Sequence, residues 1–190
     1  MDSSNLKFES PSQSGAASPP ADGSKRIEDL HALIEKIDVA MLTTREPDGS
    51  LVSRPMATQK HLAGVDLWFM TSDETHKVAS LEGHPEVNVM YFSSDTKEWV
   101  SVSGTATLSR NPGRIRELYR RGWRAWLGDR GAPYDGGPTD PRIVLIDVHA
   151  HHASYYKSHD SRPVTLFKVA KAMLTGQPPD LGTVQHVRLE

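Results

Sequence analysis

Residues 39–58 read VAMLTTREPDGSLVSRPMAT, a stretch typical of two β-strands joined by a tight turn. The turn at residues 47–49 combines Pro, Asp and Gly, three residue types that favour a chain reversal. Side chains alternate along the second strand, which places Arg54 on the same face as Val52 and Met56. The stretch therefore predicts a hairpin that carries one cationic side chain among apolar neighbours.

Four further segments have the alternation or the composition of strands: residues 66–71, 86–92, 98–108 and 142–149. Short polar turns join most of them, and there are few long crossovers. This order favours an antiparallel barrel over a parallel, doubly wound sheet. The predicted fold class is mainly β with peripheral helices, built on a six-stranded antiparallel barrel.

Apolar residues at helical spacing predict the peripheral helices. One covers residues 27–37, and a short one ends near Leu81, before Gly83. Another opens at Asn111, a capping residue, and a closing helix covers residues 164–174. The stripe of the helix that opens at Asn111 includes Ile115, Leu118, Tyr119, Trp123 and Trp126.

The composition limits the class of protein. The 190 residues include 22 Lys and Arg against 24 Asp and Glu, and the formal net charge of -2 gives no general attraction to nucleic acid. The sequence has no Cys, which excludes disulfide scaffolds and thiolate metal sites and fits a cytoplasmic location. We find neither a signal peptide nor an apolar run that could span a bilayer, so no membrane partner is expected.

Large apolar residues are scarce at both ends of the chain. We therefore expect a disordered tail over residues 1–24 and a flexible C-terminal tail over residues 177–190. Residues 25–176 are expected to form one domain that includes the C-terminal helix.

Hydroxyl and cationic side chains are concentrated where the third strand leads into the short helix. Residues 71–77 read TSDETHK, and a helix start offers free backbone N–H groups to an anion. A phosphate could be held there by Ser72, Thr75 and Lys77, with Arg54 as a second cation. The residues alone leave a simpler alternative open, a capping box Thr71-x-x-Glu74 that needs no ligand.

The order of these segments resembles the FMN-binding split barrels related to pyridoxamine 5'-phosphate oxidase, in particular their general stress protein branch. The segments that carry the resemblance are VAMLTT, PDGS, SRPM, LWFMTS, THK and WVSVSGTA, and the similarity covers about residues 25–182. It implies a homodimer of split barrels with FMN at the subunit interface. FAD, bound through its FMN half, is the alternative cofactor.

The resemblance also implies which residues contact the flavin. Arg54 and the triplet Thr75, His76 and Lys77 would hold the ribityl phosphate, next to Ser72. The isoalloxazine would be lined by the backbone of Pro55, Met56, Met70 and Thr71, with Trp99 close to the ring.

This chain departs from the oxidases at three places. His76 stands where they carry Arg, and Trp99 stands where they carry a Gln that contacts the ring. The Arg and His pair that binds the substrate phosphate in the oxidases has no match in the C-terminal region. Pyridoxamine phosphate oxidation is therefore not predicted.

The predicted function is that of a flavin-binding, general-stress-type protein that acts as a flavin-dependent oxidoreductase, with NAD(P)H as a candidate partner. No catalytic residue is assigned, because the chemistry would belong to the cofactor. The alternative is a protein that binds or sequesters a flavin or pyridoxal phosphate without catalysis.

Two other groups of residues are candidates for binding a metal or nucleic acid. His149, His151, His152 and His159 lack the carboxylates and the common face of a metal site, so no metal is predicted. The arginine-rich helix with Trp123 and Trp126 suits nucleic acid, but a face turned to water or to acidic residues of a partner is favoured. Either tryptophan could instead cover a flavin. The loop of residues 128–141 is expected to be flexible, and its Asp135 and Asp140 receive no role.

Overall fold

A computed structural model describes residues 23–60, 66–158 and 182–189, together with single helical positions between 164 and 176. Its sheet has seven strands, and all neighbouring strands are antiparallel. They are β1 (Val39–Arg45), β2 (Leu51–Ala57), β3 (Leu67–Ser72), β4 (Glu86–Phe92), β5 (Trp99–Ser109), β6 (Ile143–Ser158) and β7 (Gly182–Arg188). The order is β2-β1-β4-β5-β6-β3, with β7 on β6. The sheet is open between β2 and β3, and the predicted antiparallel architecture is confirmed.

The prediction of six strands was wrong by one, and the sixth strand is longer than expected. β6 has 16 residues and pairs with β5 along most of its length. In addition, its first half pairs with β3 and its second half pairs with β7. β7 occupies residues that the sequence analysis placed in a flexible tail. Every described residue of β7 is at least partly exposed, and Val187 is its one residue that packs against the core. Hydrophobic periodicity therefore gives little signal for this strand.

A glycine is required at the point where the backbones of β5 and β6 lie close together. The register shifts between Ser103 and Gly104, which is a β-bulge. A Cβ atom on Gly104 would lie 2.1 Å from the backbone oxygen of His149. The two central strands can therefore approach only because this residue has no side chain.

The inward faces of the strands form one core with two helices packed on it. The helices are α1 (Gly23–Ile34) and α2 (His76–Gly83). Leu33 of α1 and Leu81 of α2 are buried with the β-strand residues. The predicted inward positions Val100 and Val102 are fully buried, which confirms the predicted face of β5.

The helix predicted from Asn111 to Trp126 is two helices. α3 (Pro112–Leu118) and α4 (Trp123–Leu127) are separated at Tyr119, which leaves the helical conformation with ψ of 136°. The adjacent Gly122 is a poor helix former. Both tryptophans lie in α4, where Trp123 is buried with Trp68 and Ile143 and Trp126 is 86% exposed.

The chain ends are only partly described. Residues 1–22 of the expected disordered tail lie outside the described residues, while Gly23 and Ser24 belong to α1. The described positions of the predicted closing helix are helical, and its apolar residues 166, 167, 169, 170 and 173 lie outside the description. No helix in the described ranges is long and apolar enough to cross a bilayer.

Candidate anion site between β2 and α2

The end of β3 and the start of α2 bring an ammonium group and two hydroxyls together. Thr75 is the N-cap of α2, and Lys77 follows in the first turn. The Lys77 Nζ donates a hydrogen bond of 3.1 Å to the Oγ1 of Thr71, which lies 3.2 Å from the Oγ1 of Thr75. We call Arg54, Thr71, Ser72, Thr75 and Lys77 the phosphate corner.

Arg54 enters the corner from β2 and is held by two oxygen atoms. Its Nη1 donates to Thr44 Oγ1 at 2.9 Å, and its Nη2 donates to Glu46 Oε1 at 2.7 Å. The other oxygen of Glu46 accepts a hydrogen bond from Ser80 of α2 at 3.1 Å. Glu46 therefore ties the β1–β2 turn to α2 and fixes the guanidinium. The sequence analysis missed Glu46 and Ser80, because only the folded chain brings residues 46, 54 and 80 together.

The electrostatics of the corner favour an additional negative charge. Burial lowers the pKa of Lys77, and the positive charge of Arg54 lowers it further. The pKa of Glu46 is lowered because its carboxylate accepts from Arg54. Arg54 is paired with Glu46, whereas Lys77 forms no ion pair within the described residues. A phosphate would relieve the repulsion between the two cations.

The capping-box alternative is wrong. α2 begins at His76, so Thr71 and Glu74 do not flank its first turn. Thr71 is instead bonded to Lys77, and Glu74 forms an ion pair with Arg130 at 2.8 and 3.0 Å. The Thr75 hydroxyl donates a hydrogen bond to the carbonyl oxygen of Ser72, and the helix begins only after Thr75.

The remaining predicted site residues lie in different environments. The Met56 side chain is in the core, so only its backbone could contact a ligand, whereas Pro55 lies on the opposite, exposed face of β2. Met70 is partly buried and packs against a separate apolar cluster that contains Trp68 and Trp123, and His76 is exposed. Trp99 is separated from β2 by β4 and β1, so within one chain it is not brought to Arg54.

The loop of residues 128–141, expected to be flexible, is anchored by a buried ion pair. The Arg142 side chain contacts the Asp140 carboxylate at 2.6 and 3.0 Å and donates to the carbonyls of Leu127, Gly128 and Tyr134. These bonds lower the pKa of Asp140 to about 2. The sequence analysis missed both roles, because a two-residue spacing does not reveal a buried pair.

Three of the arginines predicted for the basic helix pair with acidic residues of the same chain. Arg114 pairs with Asp147, whose side chain is almost fully buried. Arg110 pairs with Glu82, and Arg124 pairs with Asp129.

The histidines of β6 form no metal site in the described ranges, where no group of three or more possible ligands converges. His149, His151 and His152 are exposed. His151 lies at the bulge, with its Nε2 3.3 Å from the hydroxyl of Thr105. His159 lies outside the described residues.

Known proteins share this fold and most of this sequence region. The chain belongs to the pyridoxamine 5'-phosphate oxidase-like family, whose sequence model matches residues 25–180. Protein bli-3 of Neurospora crassa is 33% identical over 166 residues, which are 86% of this chain and 79% of that protein.

Two solved structures illustrate the shared fold. The general stress FMN/FAD binding protein from Xanthomonas citri is 25% identical with a TM-score of 0.57, over 71% of this chain and 92% of that one. A pyridoxamine 5'-phosphate oxidase-related, FMN binding protein from Nostoc punctiforme has 15% identity and a TM-score of 0.58, over 73% and 85% of the chains. The expected split-barrel fold is confirmed.

Proposed function

We propose that the protein binds a flavin, FMN or FAD, through the phosphate corner. The observation that carries the proposal is the partly buried Lys77 ammonium, which lies beside Arg54 and has no carboxylate partner among the described residues. A flavin phosphate would accept from both cations and from the hydroxyls of Thr71 and Thr75. The FMN-binding and FMN/FAD-binding relatives support the choice of a flavin over other phosphates.

The proposed activity is that of a flavin-dependent oxidoreductase with NAD(P)H as its electron donor. The bound flavin would supply the redox chemistry. The residues of this chain would hold and orient it: Glu46 keeps Arg54 in place, and Thr71 keeps Lys77 in place. The buried position of Thr71 limits the access of water to this end of the site.

Removing the Lys77 charge tests the site. We expect Lys77→Met to weaken FMN binding by about 10- to 100-fold, the usual value of a charge-assisted hydrogen bond. Binding of riboflavin, which has no phosphate, should stay within about twofold. Isothermal titration with both flavins measures the two dissociation constants. Lys36→Met, at an exposed position after α1, is the matched control.

The two ligands separate the possible results. Equal weakening of FMN and riboflavin would show that Lys77 supports the fold rather than the phosphate. Unchanged binding of FMN would refute the site. Flavin binding without any oxidation of NADH or NADPH would instead support the non-catalytic alternative, a protein that sequesters a flavin or pyridoxal phosphate.

We also propose that the chain forms a homodimer through the outer face of β2, β1, β4 and β5. Large exposed apolar patches on soluble proteins mark interaction surfaces. Cross-strand pairs join Pro55 to Met41, Met41 to Met90, and Phe92 to Trp99. Phe92 is 51% exposed. A second copy would also be needed for any contact between Trp99 and a flavin at Arg54. We call Val39, Met41, Pro55, Met90, Phe92 and Trp99 the apolar face.

A charge in the centre of the apolar face tests the dimer. Light scattering should give twice the chain mass of 21.0 kDa for the native protein. Met90→Asp should give the mass of a single chain, because a carboxylate buried between two copies has no partner. Ile27→Asp is the matched control, since Ile27 is exposed on α1 and not on any of these four strands. A native protein of single-chain mass would refute the dimer.

A further inference from the structure

Trp126 is a large apolar side chain held rigidly in solvent. It is 86% exposed, although the residues on both sides of it in α4 are anchored. Trp123 packs edge-on against Trp68 and Tyr119, with ring centroids 6.3 and 5.7 Å apart. Leu127 is buried, and its carbonyl accepts from Arg142 at 2.7 Å. Since the anchors fix the backbone, a ligand of the indole would lose little entropy in ordering it.

The anchored segment lies against the phosphate corner. The backbone oxygen of Arg142, whose side chain holds α4, accepts from the amide of Asp73 at 2.8 Å. Arg130, in the loop that follows α4, forms an ion pair with Glu74, the residue after Asp73. Residues 73 and 74 directly precede Thr75, so the loop that follows Trp126 borders the corner.

Two cationic side chains precede Trp126 in the chain. Arg120 and Arg121 are exposed and form no ion pair in the described part of the chain. An exposed indole face with cations close to it in the chain suits an aromatic ring that carries anionic groups. A nucleotide has this chemistry, because its base can stack and its phosphates are negative.

We propose that Trp126 stacks on the adenine of FAD, and that this contact makes FAD the preferred flavin. The inference rests on the proposed phosphate corner. FAD is FMN extended from its phosphate by an adenosine monophosphate unit, which must leave the corner on the solvent side. Two exposed aromatic side chains are joined to the corner by described contacts, Trp126 and Tyr134, and Trp126 is the more exposed, at 86% against 45%.

Dissociation constants for FMN and FAD test the proposal, measured by titration of the full chain after its flavin has been removed. We expect FAD to bind about tenfold more tightly than FMN, as one stacked base would provide. Trp126→Ala should abolish the difference by weakening FAD alone, and Trp126→Phe should retain part of it. FMN binding should be the same in all three proteins.

Each contrary result has its own meaning. Tight FMN binding without a preference for FAD would overturn this proposal and leave the phosphate corner intact, whereas failure of both flavins to bind would overturn both proposals. A FAD preference that survives Trp126→Ala would also overturn it. In that case, Trp126-dependent retention of single-stranded DNA at 0.15 M salt would assign the indole to nucleic acid, and Trp126-dependent dimer formation would assign it to a second copy.

Discussion

The buried pair of Asp140 and Arg142 should make the stability of the protein depend on pH in the acidic range. The Asp140 side chain is fully buried, and it accepts from the amides of Gly136 and Arg142 as well as from the guanidinium. These bonds stabilise the charged carboxylate, so its pKa falls from 3.8 to about 2 in the folded chain.

The size and sign of the effect follow from this difference. A pKa held at about 2 instead of 3.8 corresponds to roughly 2 kcal/mol of unfolding free energy. Because the folded pKa is the lower one, this stabilisation is complete above about pH 5 and decreases as the pH falls. About half of it should be lost by pH 3 and most of it by pH 2.

Urea unfolding of the native protein and of Asp140→Asn, from pH 7 to pH 2, measures this contribution. At pH 7 the variant should be less stable by about 2 to 3 kcal/mol, because Arg142 keeps its carbonyl contacts but loses its counterion. The difference should shrink as the pH falls. Asp129→Asn is the control, since Asp129 lies in the same loop but its ion pair is exposed. A difference that is constant from pH 7 to pH 2 would refute the reasoning.

Four further variants test the bulge and the edge of the phosphate corner. Gly104→Ala should destabilise the protein by about 3 kcal/mol in urea unfolding, because its Cβ meets the backbone of His149, whereas Gly83→Ala, with no atom within 4 Å, should be neutral or slightly stabilising. Arg130→Ala should weaken FMN binding two- to threefold by leaving Glu74 uncompensated, and Glu74→Gln should strengthen it by a similar factor. If both substitutions weakened FMN binding, the Arg130–Glu74 ion pair would act by holding the loop against the site and not through its charge.

Local patterns in the sequence predicted the features that depend on neighbouring residues. The inward face of β5, the hairpin of β1 and β2, and the residues of the phosphate corner follow from alternation, turn composition and a short motif. The residues alone indicated a phosphate held by Lys77 and Arg54 but left a capping box open, and the resemblance to split-barrel flavoproteins favoured the phosphate.

Tertiary structure decided which charges meet and which aromatic rings are covered. Glu46 accepts hydrogen bonds from Arg54 and Ser80, and Arg130 forms an ion pair with Glu74. These residues are too far apart in the sequence for a periodic pattern to predict their contacts. Trp123 and Trp126 have the same character in the sequence, yet Trp123 is buried against Trp68 and Tyr119 while Trp126, in the same helix, is exposed. Hydrophobic spacing relates residues that are close in the sequence. These contacts join residues that are distant in the sequence and depend on how the whole sheet folds.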